Sequence, residues 1–137
     1  PLLFLVCHDL KKCDMQLTEN FSLHEFDCND GTPVPDELLH NVEALAEQLQ
    51  ILRDYLGERI MISSAYRHPA YNKKIGGKSN SYHLKAMAAD ITVKSKTPRQ
   101  LKAIVEKLIE QKKVKFGGIG LYPGFLHVDI RRQAARW

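Results

Sequence analysis

His83 and Asp90 stand seven positions apart in the stretch Ser81-Tyr-His-Leu-Lys-Ala-Met-Ala-Ala-Asp90, and a second imidazole follows far downstream in His127-Val-Asp129. Two imidazoles and one carboxylate form a ligand set for Zn2+. A catalytic zinc keeps three protein ligands and leaves its fourth position to water or substrate. The trio therefore points toward metal-assisted hydrolysis. Residue types and spacing alone leave a structural role for these histidines open.

The elements that must position the trio can be read from periodicity. Residues 88–93 alternate as a strand, with Ala89, Ile91 and Val93 on one face and Asp90 and Thr92 on the other. Residues 125–131 read as a strand too. Leu126, Val128 and Ile130 face one side, and His127, Asp129 and Arg131 face the other. If the two strands are sheet neighbours, Asp90 and His127 converge on a shared polar face. Residues 59–62 predict a further strand, and the glycines of 117–120 open another.

Leu38, Leu39, Val42, Leu45, Ala46, Leu49, Leu52 and Leu56 recur at spacings of three and four, which predicts a long helix that begins near Pro35 and ends at Gly57. Thr97-Pro98 caps another helix, with Leu101, Ile104, Val105, Leu108 and Ile109 as its buried stripe. Ser22 and Glu25 have the spacing of a capping box on a short helix. Residues 71–79 are turn-rich and read as a loop around the site. The expected fold is α+β, a small antiparallel sheet with helices packed on one side.

The 137 residues make one domain's worth of chain, long enough for a real core. The net charge of +4 suits an anionic partner, but the lysines are scattered and no aromatic-basic platform for nucleic acid stands out. No stretch is long enough to span a membrane, and a monomer is expected. Three cysteines, Cys7, Cys13 and Cys28, give an odd count and no zinc-ribbon spacing. They read as free thiols, with a Cys7–Cys13 bridge as the alternative. Residues 1–14 differ from the rest, and Met15 could be a native start. They read as an N-terminal extension, expression-derived or left from an export signal, ahead of a domain over 15–137.

Ser81-x-His83-x-x-Ala86-x-Ala88-x-Asp90 followed by His127-x-Asp129 resembles the zinc D-Ala-D-Ala carboxypeptidase family. That family includes L-alanyl-D-glutamate endolysins and shares its fold with the hedgehog signalling domain. Ser64-Ala-Tyr-Arg67 with Asn72 looks like the family's arginine motif. Gly118-Ile-Gly-Leu-Tyr-Pro123 and Arg136-Trp137 look like its small single-domain branch, found in prophage and bacterial cell-wall settings. The resemblance spans residues 17–137.

It implies zinc on His83, Asp90 and His127, and a peptidoglycan stem peptide as substrate. It makes Arg67 the group that binds a substrate carboxylate or polarises the scissile carbonyl, a task suited to a planar guanidinium. Ser81 would bind substrate or orient the His83 loop. Tyr122 would line the cleft and stabilise an oxyanion. His68, inside the arginine motif, reads as a surface imidazole.

Two departures from the family pattern matter. Ala86 stands where glycine is common, and alanine fits only if the backbone avoids positive φ or close packing. Gly124 stands three residues before His127, where many members carry a glutamate base. Asp129 then becomes the candidate base, or else the residue that orients a ligand imidazole. The rival reading keeps the fold and the zinc without turnover, as a wall-binding or phage structural domain.

Overall fold

The computed structural model describes residues 14–137. The expectations for residues 1–13, including a Cys7–Cys13 bridge, lie outside the described residues. Five strands, β1 (Ile60–Ser64), β2 (Ala88–Val93), β3 (Gly118–Leu121), β4 (Leu126–Asp129) and β5 (Ala135–Arg136), form one sheet in the order β1-β2-β4-β3-β5. Every neighbouring pair is antiparallel except β3 and β5. The fold is α+β, as the sequence periodicities require.

The apolar face of the sheet supplies Ile91, Ile119, Leu126 and Val128, all fully buried. Helix α1 (Leu39–Leu56) adds Val42, Leu45, Ala46, Leu49 and Leu52 to the same core, and helix α3 (Pro98–Glu110) adds Leu101, Val105 and Leu108. Gly57 closes α1 with a left-handed φ of 68°. The Thr97 hydroxyl accepts from Gln100 N–H at 3.1 Å, and Thr97 N–H donates to the Gln100 side chain at 2.9 Å, so α3 starts on a reciprocal capping box.

Two segments differ from the sequence reading. The first half of 71–79 is helix α2 (Pro69–Lys74), not loop. Pro69 occupies the first turn, where its missing N–H costs nothing, and six residues are too few to display an apolar stripe. The final strand stops at Asp129 instead of reaching 131. The chain then turns back, and β5 adds to the far edge of β3 through Ala135 N–H to Gly117 O at 3.0 Å and Trp137 N–H to Ile119 O at 3.1 Å. A two-residue strand carries no period to read.

The polar face is built in rows. Asp90 pairs with His127 across β2 and β4, Ser64 pairs with Asp90 from β1, and Gly120 pairs with His127 from β3. Directly paired residues point to one side of a sheet. The register shift between Ile62 and Ser64 inserts one residue. It lets β1 keep Ile62 toward the core and still present Ser64 to the polar face.

Ala86 does what the sequence reading held to be unfavourable. Its φ is 56° and it is buried. It ends the 3-10 turn Tyr82–Lys85, with its N–H bonded to His83 O at 3.2 Å. A left-handed alanine costs roughly 1–2 kcal/mol, and a buried methyl returns about 0.8. Ala86→Gly should therefore leave thermal stability unchanged or slightly raised, and the β-branched Ala86→Val should lower it by more than about 2 kcal/mol. Thermal unfolding of both variants checks this. A loss above about 1 kcal/mol in Ala86→Gly would contradict the strain assignment.

Candidate metal centre and cleft

His83 lies on the 3-10 turn ahead of β2. Ser81 caps that turn, its Oγ accepting His83 N–H at 3.1 Å. The turn is strapped to the chain beyond β1 by Arg67 N–H to His83 O at 3.0 Å. The buried ring of His83 donates from Nδ1 to the Ala65 carbonyl at 2.6 Å. A carbonyl can only accept, so Nδ1 carries the proton and Nε2 is left with a free lone pair. That Nε2 lies 3.3 Å from Asp90 Oδ1.

His127 is held the opposite way round. Its Nε2 faces Asp129 Oδ2 at 2.7 Å, and its Nδ1 faces Asp90 Oδ1 at 3.0 Å. With Nε2–H donating to the Asp129 carboxylate, Nδ1 of the neutral ring carries the lone pair. His83 Nε2, Asp90 Oδ1 and His127 Nδ1 thus gather with the two rings edge to face, centroids 5.1 Å apart. A tetrahedral zinc centre with N and O ligands sets its donors about 3.2–3.5 Å apart. The distances, the donor types and the fixed tautomers fit a metal site. Two lone pairs and a carboxylate oxygen aimed at one point need a proton or a cation between them.

The electrostatics agree. Burial raises the Asp90 carboxyl, but with a proton in place of a cation between it and the imidazoles, hydrogen bonding with His127 and His83 outweighs burial and pushes it down to about 2. Burial lowers the His127 imidazole, but the Asp129 and Asp90 carboxylates outweigh it and raise it above its ordinary value. Burial also raises Asp129, and here His127 and Arg131 prevail and hold it well below the usual carboxylate range.

Arg67, Ser81, His83, Asp90, Tyr122 and His127 all line one cleft of about 440 Å³. Arg67 donates from Nε to Ser64 Oγ at 3.1 Å, from Nη1 to Asn72 Oδ1 at 3.3 Å and from Nη2 to Asp90 Oδ2 at 3.5 Å. It therefore grips the Asp90 oxygen that faces away from the histidines. Two of its five N–H groups stay free for the cleft. Tyr122 stacks on Phe125 with centroids 4.5 Å apart. Its phenol oxygen accepts from Trp137 Nε1 at 2.8 Å, leaving its own hydrogen to donate.

Asp129 is not among the cleft's lining residues. Its carboxylate is 0% exposed and faces His127, Gly118 N–H at 3.1 Å, and a two-point contact from Arg131 at 2.8 and 2.7 Å. His68 is also off the cleft, against Asp30.

Trp137 was not singled out as a site residue by its sequence position, yet it walls the cleft. Its ring lies 5.0 Å from that of His127, and the Arg131 guanidinium sits over it at 5.1 Å. A Cβ at Gly120 would collide with the indole. The signal for Trp137 was Gly120 itself, a side-chain-free position paired with His127.

The peptidase M15 family model matches residues 16–129. The chain belongs to the peptidase M15 family, whose members are zinc-dependent peptidases. No curated protein matches the chain. No helix among the described residues is long and apolar enough to cross a membrane.

A metal takes neutral imidazole, so it must compete with a proton that His127 holds more tightly than an ordinary imidazole does. Affinity should fall as pH falls. Zinc uptake by the metal-free protein at about pH 6.5, where an ordinary imidazole is half protonated, should release protons. Calorimetry in buffers of different ionisation enthalpy measures this, and heat independent of buffer at that pH would contradict it.

Proposed function

We propose that this chain is a zinc-dependent peptidase that hydrolyses peptide bonds in peptidoglycan stem peptides, of D,D-carboxypeptidase or endopeptidase type. The observation that carries the reading is the convergence of two tautomer-fixed imidazoles and Asp90 in a cleft rimmed by cations and aromatic rings. Residues 15–137 form the peptidase domain, and residues 1–14 precede it as an extension.

His83 would hold zinc through Nε2, Asp90 through Oδ1 and His127 through Nδ1. Bound there, zinc supplies Lewis acidity toward a peptide carbonyl and toward water. The protein's own groups do the rest. Ala65 O and Asp129 keep the ring protons on the far nitrogens, so both lone pairs stay directed at one point. Arg67 restrains Asp90 and offers its free N–H groups to a carboxylate or carbonyl of the substrate. Lys78 also lines the cleft and makes no ion pair among the described residues, so a second anionic group can be met there. Stem peptides carry such free carboxylates. Tyr122 donates its hydroxyl hydrogen where negative charge develops on the carbonyl oxygen. Ser81 serves the site by capping the His83 turn.

The second reading is a zinc-containing wall-binding or phage structural domain without turnover. It draws on one observation. Apart from Asp90, no carboxylate side chain among the described residues lines the cleft, so the glutamate absent at Gly124 is not replaced there. Digestion of purified muropeptides with the zinc-loaded protein decides between the two. New peptide termini are expected, and zinc bound at the His83, Asp90 and His127 centre with no cleavage of any stem peptide would favour the binding domain.

Arg67→Ala should retain zinc and lose roughly 1.5–3 kcal/mol of substrate interaction, about 10–150-fold in kcat/KM. An unchanged specificity constant would remove Arg67 from substrate handling. Asp129→Asn separates its two possible roles. As the partner of His127 it should weaken zinc binding about 10–100-fold, with turnover per bound zinc nearly preserved. Full zinc content with turnover lost would make Asp129 the base instead.

A further inference from the structure

Cys28, Asp30 and His68 form a second group of metal-ligating side chains, and none of them lines the cleft. The sulfur, one carboxylate oxygen and one imidazole nitrogen all lie within 4.8 Å of one another. His68 Nε2 meets Asp30 Oδ2 at 2.6 Å.

The group is assembled by backbone, not by a chance meeting of long side chains. Residues 28–32 make a tight turn through Gly31 N–H to Cys28 O at 2.8 Å and Cys28 N–H to Thr32 O at 2.9 Å. Thr32 N–H binds Asp30 Oδ1 at 3.0 Å, which aims the other oxygen at His68. β1 and the segment after it are laced to this turn and the residues just before it by Asn29 Nδ2 to Ser63 O at 2.9 Å and Tyr66 N–H to Phe26 O at 3.0 Å. The three ligands thus sit on two restrained segments.

The burial is graded. Cys28 is 2% exposed, whereas the His68 and Asp30 side chains are 26% and 33% exposed. The thiol lies at the bottom and solvent reaches the top. Sulfur, nitrogen and oxygen donors together select a borderline divalent cation of the zinc class over calcium or magnesium, which take oxygen alone. A tetrahedral centre with bonds of about 2.0–2.3 Å sets its ligands about 3.2–3.8 Å apart. To reach that spacing, His68 Nε2 and Asp30 Oδ2, now 2.6 Å apart, must part.

We propose that Cys28, Asp30 and His68 form a second binding site for a zinc-class divalent cation, with its outer position open to solvent. Three protein ligands and an open position make the ion exchangeable. Because His68 directly follows Arg67, an ion here would clamp the arginine segment to the 28–32 turn. The proposal does not depend on the peptidase reading.

Cobalt titration of the metal-free full chain tests it, because the His83 centre offers no sulfur. A thiolate-to-cobalt charge-transfer band in the near ultraviolet is expected. It should survive in the His83→Ala/His127→Ala variant and vanish in Cys28→Ser. Cys28 is buried, so His68→Ala, at a more exposed position, provides the second arm. With circular dichroism matching the parent, it should weaken cobalt binding at this band roughly tenfold or more. No thiolate band, a band that persists in Cys28→Ser and so belongs to another cysteine, or a band untouched by His68→Ala would each overturn the site. Failure to cleave muropeptides would leave the band in place, so the two readings fail separately.

Discussion

The antiparallel register that sets Asp90 opposite His127 is the constraint on which the rest depends. Side chains alternate along a strand, so a one-residue slip would send His127 into the apolar layer and Val128 into the cleft. The register is fixed from both sides. Ile91, Leu126 and Val128 bury on one face, while Asp90, His127 and Asp129 serve the other. The glycines of β3 complete the row. Gly118 leaves room for the Asp129 carboxylate and Gly120 for the Trp137 indole, where a Cβ would strike either.

Around that pairing the buried charges alternate. Arg131 holds Asp129, Asp129 holds His127, His127 and His83 hold Asp90, and Arg67 takes the remaining oxygen of Asp90. A buried ion left without its partner is strongly destabilising, which makes the chain of contacts mutually dependent. No buried side-chain polar atom lacks a hydrogen-bond partner among the described residues. Such a network holds ring orientations that a lone histidine on a strand would not keep. It also accounts for Asp129, whose position behind His127 suits orientation better than proton transfer in the cleft.

Much of this was legible in the residues. The alternation of 88–93 and 125–131 gave the two faces, and the His-Asp-His trio pointed to a group that could hold a metal, because period and ligand type are local properties. Three things were not local. Helix α2 is too short to show a period and is announced only by Pro69. Strand β5 exists because the edge of β3 accepts it, and nothing in Ala135-Arg136 signals a strand. Ala86 adopts a left-handed backbone because the turn after His83 demands it, and the alternation of its neighbours is silent about that. The tautomers were also hidden, since Ala65 is eighteen residues from His83 and offers only a main-chain oxygen.

The most direct measurement is an anomalous difference map at the zinc edge from crystals grown with zinc. The account expects a peak bonded to His83 Nε2, Asp90 Oδ1 and His127 Nδ1 at about 2.0–2.2 Å, with Asp129 still on His127 Nε2 and outside bonding range. Zinc bound through His127 Nε2, zinc bonded directly to Asp129, or no peak among the three residues in zinc-saturated crystals would contradict it.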